Sequence, residues 1–133
     1  TLFFFFLFHI LNISPNIILI SVIIIFFISL YSVNIFIKDM DNKDPKEVVI
    51  DEFIGQAIPI CLYEIAHEGA KETSQILMFY FIMFILFRIF DIVKPYPVSY
   101  YDKNFKNSFG VIMDDICAGL YVVAILVLYM VFV

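Results

Sequence analysis

The stretch FRIFDIVKPYPVSYYDKNFKNSFGVIMDDICAG, residues 87–119, decides how the rest of the chain is read. It sets Arg88, Asp91, Lys94, Asp114 and Asp115 among long apolar runs. Ionisable groups on a lipid-facing helix are costly, so they normally face a bundle interior or a water-filled site. Arg88 and Asp91 are three residues apart, as are Asp91 and Lys94, and side chains at that spacing share a helix face. Lys94-Pro95-Tyr96-Pro97 predicts the end of that helix, because a residue before proline is pushed out of the α region. Asp114 and Asp115 open the next apolar run, at a predicted helix start where negative charge is favoured. Snorkelling to the headgroup region would account for Arg88 alone. It does not account for Asp91 and Lys94 in the same turn region, so the pattern predicts a site for a charged ligand.

Outward from that stretch, composition bounds the fold. The 133 residues make at most one domain. A hydrophobic share of 63% and a mean hydropathy of +1.00 exceed the roughly 45–50% apolar content of soluble domains. The excess lies in long runs, which predicts an all-α, polytopic membrane helical bundle of about four to five helices. A net charge of −5 without a basic stripe argues against nucleic-acid binding. Cys61 and Cys117 give no disulfide framework and are expected as free thiols toward opposite membrane faces.

Residues 2–13 offer about 12 apolar-dominated positions, short of the ~20 that span a bilayer, and lack a basic n-region and a cleavage site. His9 stands alone there and reads as a core or interfacial histidine. Pro15 suits the first position of a helix, and residues 17–37 are 21 residues without a charge, a strong spanning candidate. Residues 38–47 (KDMDNKDPKE) read as a solvated connector, with Asp44-Pro45 able to start the next helix. In residues 48–63, Asp51 and Glu52 interrupt an apolar segment rather than decorate an exposed helix start, which favours a functional role. Gly55, one turn on from Asp51, permits close approach of a helix or a phosphate. Pro59 predicts a kink unless the carbonyl it frees finds a partner. Residues 63–75 read as a second polar loop turning at Gly69, and its Glu64 and His67 read as an ordinary loop pair rather than a metal site. Residues 76–90 are the next predicted span, 96–109 an aromatic connector along the membrane surface, and 116–133 the last span.

Lysines orient this arrangement. Residues 38–47 and 94–109 carry three each, 64–75 one and 12–16 none. The rich segments alternate with the poor ones, so the positive-inside rule puts the rich ones in the cytoplasm. Asp51, Glu52, Arg88, Asp91, Lys94, Asp114 and Asp115 then fall at one cytoplasmic level on three helices. Clustered carboxylates raise one another's proton affinity and need a compensating cation. Oxygen ligands without Cys or clustered His favour Mg²⁺ over zinc. On this reading Asp51, Glu52, Asp91, Asp114 and Asp115 are the candidate metal ligands and catalytic acids. Arg88 suits bidentate phosphate contact and Lys94 a point-charge contact. The nucleophile stays open between a metal-activated water and an aspartate.

Three segments, Asp51-Glu52-Phe53-Ile54-Gly55, Phe87-Arg88-Ile89-Phe90-Asp91 with Lys94-Pro95-Tyr96-Pro97, and Gly110-Val111-Ile112-Met113-Asp114-Asp115 with Ala118-Gly119, resemble the phosphatidylglycerophosphatase A family in content and order. The resemblance implies a Mg²⁺-dependent enzyme of glycerophospholipid biosynthesis. It would remove the terminal phosphate of phosphatidylglycerophosphate to leave phosphatidylglycerol, at the cytoplasmic face of the inner membrane. It also implies an upstream segment rich in Gly, Pro and Thr, of which Thr1-Leu2 would be the tail, so part of the site is expected to be missing. Ser108-Phe109 departs from the smaller, glycine-rich approach to Gly110 that the family tends to have. A lipid phosphatase with a His nucleophile finds no support in the positions of His9 and His67. The spaced Asp-Gly-Ala-Arg pattern of CDP-alcohol phosphotransferases is absent from the sequence. The rival from another class is a small transporter or channel subunit using intramembrane acids for ion passage. It would require polar residues through the midplane, where residues 17–37 carry no charge.

Overall fold

The computed structural model describes residues 1–38, 49–67, 73–105 and 107–132. Among these it forms six α-helices, one π-helical stretch and no strand. They are α1 (Leu2–Phe5), continued by the π-helical Phe6–Ile10, α2 (Pro15–Lys38), α3 (Ile50–Ala66), α4 (Thr73–Val93), α5 (Val98–Asn104) and α6 (Ser108–Phe132). The helical-bundle expectation holds, with two short helices added to the long ones. Most of the connector at 38–47, with its Asp44-Pro45 helix start, and the turn at Gly69 lie outside the described residues.

Among the described residues, three helices are long and apolar enough to cross a membrane: α2 over Pro15–Ile35, α4 and α6. Their surfaces explain why. On α2, Ile20, Ile24, Phe27, Ile28 and Tyr31 point outward, each at least half exposed. So large an uncovered apolar face is stable against lipid and not against water.

The hub is α6, which touches α2, α3, α4 and α5, and its most extensive contact is with α3. Small residues make that contact possible. Gly55 of α3 and Gly119 of α6 meet where the helices cross, and the carbonyl oxygen of Gly55 is the first atom a side chain on Gly119 would strike. That carbonyl is also the one Pro59 frees, four residues on, by lacking an N–H. Helix α3 nonetheless runs unbroken through Pro59, and α6 covers the freed carbonyl.

The ends of the helices follow their sequence. Asn12 takes φ 49° and turns the chain out of the π-helical stretch, a conformation asparagine tolerates better than most residues. Lys94 takes φ 47° just past α4, with its N–H on the Phe90 carbonyl at 2.9 Å, so the helix stops at the residue before Pro95 as expected. Helix α6 starts at Ser108, earlier than the expected start at Asp114, because Asn107 Oδ1 accepts the Gly110 N–H at 3.0 Å and serves as the N-cap. Asp114 therefore sits in the second turn of α6, not at its start as expected, and Asn107 holds the N-cap.

Candidate functional site

At the end of the bundle where α3 begins and α4 ends, three helices bring their charged residues together. Glu52 and Arg88 form a two-point pair, Nη1 to Oε1 at 2.9 Å and Nη2 to Oε2 at 2.8 Å. The same Nη1 reaches Asp91 Oδ2 at 3.4 Å, as their spacing of three residues on α4 predicts. Planar fork-to-fork pairing of this kind fixes orientation as well as distance. It ties the first turn of α3 to the last turns of α4.

Lys94 makes the second tie. Its ammonium donates to Asp102 Oδ1 at 2.5 Å and to Asp114 Oδ2 at 3.0 Å. Burial alone would pull the Lys94 pKa down, but the hydrogen bonds and charges of Asp102 and Asp114 outweigh it, and the net shift is upward. Lys94 is therefore a cation across the physiological range, bridging α5 and α6 from the end of α4.

Two carboxylates have no such partner. Asp51 and Asp115 are 8% and 4% exposed, and neither has a cation within salt-bridge distance among the described residues. Asp51 Oδ1 accepts the Glu52 backbone N–H at 2.9 Å. Asp115 lies within hydrogen-bonding reach of Asp91 and within electrostatic range of Asp51 and Asp114. Its own backbone N–H goes to Asp114 Oδ1 at 3.0 Å. The glycine crossing sets this depth, because Gly55 is one turn from Asp51 and packs on the Asp115 carbonyl. Adjacent residues on a helix point about 100° apart. Asp114 accordingly turns to Lys94, and Asp115 to Asp51 and Asp91.

All seven residues singled out by sequence thus gather at one end of the bundle. No group of three His, Cys, Asp or Glu side chains among the described residues is arranged as a ready metal cage. Sequence reasoning missed Asp102, which shares Lys94. A lone acid on an aromatic surface helix gave no spacing signal toward α4. It also missed the partner of His9, whose Nε2 lies 3.3 Å from Glu64 Oε1, while Tyr80 donates to the same oxygen at 2.6 Å. His67 instead stacks on Tyr63, so Glu64 serves His9 across the bundle and not its loop neighbour.

A family model described as Phosphatidylglycerophosphatase A matches residues 1–130. The chain belongs to the phosphatidylglycerophosphatase A family. Two relatives carry that name: one from Haemophilus influenzae, 36% identical over 65% of this chain and 48% of its own length, and one from Escherichia coli, 33% identical over 67% and 46%. A relative from Bacteroides thetaiotaomicron, 40% identical over 60% of this chain and 45% of its own, is provisionally named a phosphatidylinositol-3-phosphatase. The chain spans about half the length of the curated relatives it matches. No solved structure matches it.

Proposed function

We propose that this member of the phosphatidylglycerophosphatase A family hydrolyses the terminal phosphate monoester of phosphatidylglycerophosphate, leaving phosphatidylglycerol. The observation that carries the reading is the pairing of opposites at one level. Asp51 and Asp115 are buried without cationic partners, beside two cations, Arg88 and Lys94, that retain donors. Arg88 has five N–H donors and Lys94 three. The bonds to Glu52, Asp91, Asp102 and Asp114 leave each cation capacity for a phosphate oxygen.

Mg²⁺ fits this donor set. It is commonly held by one or two carboxylates together with substrate phosphate and water, and needs no all-protein cage. Asp51 and Asp115 are the carboxylates with charge to spare, and Asp91 and Asp114 lie close enough to complete or orient the set. When bound there, the ion would offset the negative charge of both the acids and the phosphate and polarise a phosphoryl oxygen. Glu52 is the counter-ion that holds the Arg88 fork. Asp102 and Asp114 hold Lys94 in place. The lysine alternation supports a cytoplasmic location for this level, in the inner membrane.

A transport reading has less support. Between the Asp51–Asp115 level and the His9–Glu64–Tyr80 cluster, α3 buries Ile54, Ala57 and Ile60, a largely apolar stretch interrupted by Gln56, which donates to Thr1 Oγ1.

The deciding experiment is release of inorganic phosphate by the purified full-length protein from phosphatidylglycerophosphate, with and without Mg²⁺. Phosphatidylinositol 3-phosphate serves as the comparison substrate. Preferential release from phosphatidylglycerophosphate is expected. Preference for the inositol lipid would move the substrate, and release from neither would end the phosphatase reading.

A further inference from the structure

Between the N-terminal segment and α4 lies a cavity of about 630 Å³ whose walls include Phe3, Phe5, Leu77, Tyr80, Phe81 and Phe84. That is within the roughly 300–1,000 Å³ range of ligand-holding clefts. Leu77, Phe81, Phe84 and Arg88 follow one another at spacings of four, three and four, so they form one stripe along α4. The stripe is apolar until it ends in a charge. The Arg88 guanidinium carbon stands 5.9 Å from the centroid of the Phe84 ring, and Arg88 is the residue paired with Glu52 in the candidate site. The cavity therefore begins one helical turn from that site and runs away from it along the span.

Its chemistry restricts what it takes. The Tyr80 hydroxyl is already given to Glu64, so the α4 wall offers an occupant no free polar group, and the hydroxyl of Thr1, which lines the opposite wall, is engaged by Gln56. Phe81 is 62% exposed and Leu77 40% exposed, so the wall opens sideways, on a helix apolar enough to cross a membrane. From Leu77 to Arg88 the stripe rises by eleven residue steps, about 16 Å at 1.5 Å each. That is close to half of the ~30 Å hydrocarbon core, the depth of one leaflet.

We propose that this groove holds one acyl chain of the phospholipid whose phosphate is bound at Arg88, so that a single stripe of α4 reads both tail and headgroup. The identity of the lipid rests on the phosphatase reading above. The groove itself rests on the Leu77-to-Arg88 stripe and the cavity beside it.

The test places the full-length protein in nanodiscs with phosphatidylglycerophosphate carrying a photoactivatable diazirine midway along one acyl chain. Phosphatidylcholine with the same chain is the comparison, and labelled peptides are mapped by mass spectrometry. The phosphomonoester probe is expected to label the Leu77–Phe84 stripe about tenfold more than the outward face of α2 around Phe27, a preference of about 1.4 kcal/mol. The phosphatidylcholine probe should show no such preference. Leu77→Trp and Phe81→Trp, which fill the groove, and Arg88→Gln, which removes the headgroup contact, should each erase it, and Phe27→Trp should not. Should a tryptophan variant unfold on heating earlier than wild type, the two-probe comparison on wild type decides. Equal labelling of α2 and α4 by both probes would mean bulk lipid only, and an unlabelled stripe would mean another occupant; either overturns the proposal. Labelling needs no turnover. A protein that labels the stripe but releases no phosphate keeps the groove and loses the phosphatase reading, and the reverse result loses the groove alone.

Discussion

Gly55 and Gly119 meet backbone to backbone, and the carbonyl at their contact is the one that Pro59 deprives of its helical donor. A Cβ on Gly55 would stand 2.5 Å from the Asp115 carbonyl oxygen and 2.9 Å from Phe87 Cε2. The first of these neighbours is backbone and cannot swing aside. Alanine at either glycine would gain about 1 kcal/mol of helix propensity but cost about 1–3 kcal/mol of overpacking. Gly55→Ala and Gly119→Ala are therefore expected to lower the thermal unfolding temperature in detergent and reduce phosphate release, because the same crossing positions Asp115 and Asp51. Variants as stable and active as wild type would show that the helices can separate without consequence.

The Glu52–Arg88 pair separates stability from function. Both side chains are more than a third exposed, at 38% and 40%, and pairs so placed contribute about 0–1 kcal/mol. Glu52→Gln and Arg88→Gln should therefore shift thermal unfolding little, and a double-mutant cycle should give a coupling within that range. Turnover should fall steeply in both, and Arg88→Lys should not restore it, since an ammonium cannot reproduce the planar two-point geometry. Full turnover in Arg88→Lys would show that only charge is needed.

Lys94 is expected to matter for the fold as well. Removing it leaves Asp114, a buried carboxylate, without its cation. Breaking a fully buried pair costs about 3–5 kcal/mol. Lys94 and Asp102 are 26% and 30% exposed, so Lys94→Met is expected to cost about 1–3 kcal/mol, with partial recovery in Lys94→Met/Asp114→Asn. The sign with pH follows from the upward shift of Lys94. Its contribution is fully present below the ordinary value of 10.5 and is lost only as pH rises through the higher folded value. Unfolding temperatures measured between about pH 6 and pH 9 should thus show no loss from this pair; a loss in that window that disappears in Lys94→Met would contradict the assignment.

The long elements and the site's level were legible because membrane physics writes them plainly. Uninterrupted apolar runs mark α2, α4 and α6, and a charge inside such a run is costly enough to need a reason. Lys94-Pro95 marked the end of α4 for a purely local steric reason. The start of α6 was misjudged because the paired acids Asp114 and Asp115 resemble a first helical turn and mask the apolar residues 109–113 ahead of them, whereas the helix is begun by the Gly110 N–H donating to Asn107 Oδ1. Asp102 and the His9–Glu64–Tyr80 cluster were illegible for another reason. Each joins residues far apart in sequence or on different helices, and nothing in their spacing specifies which face meets which. The same limit applied to Arg88, whose reading as a phosphate ligand did not reveal that Glu52 already grips it.

Topology gives a further expectation. Cys61 and Cys117 are buried, so cysteines introduced into the wild-type background should label with little interference. Residues 38–47 and 98–107 are expected to react from the cytoplasmic side and 66–73 from the other. Labelling of all three from one face would remove the spanning arrangement and favour a bundle lying on the membrane.

The last expectation concerns the two unpaired acids. If Asp51 and Asp115 hold Mg²⁺ with the substrate phosphate, chelation should abolish phosphate release and Mg²⁺ should restore it. Undiminished turnover in excess chelator would remove the metal from the mechanism. The isosteric changes then distinguish a ligand from a scaffold. Asp115→Asn keeps the shape at the glycine crossing but removes the charge. It also relieves like-charge crowding with Asp51 and Asp91, so the fold should be as stable as wild type or more so. Turnover should nevertheless be lost, and the rise in unfolding temperature that Mg²⁺ is expected to give in wild type should disappear, because a ligand bound only to the folded state stabilises by mass action. Asp114→Asn should behave differently, losing stability through Lys94 while keeping the Mg²⁺-dependent rise. A variant Asp115→Asn with wild-type turnover and an undiminished Mg²⁺ effect would leave Asp115 a structural carboxylate and move the metal to Asp51 and Asp91.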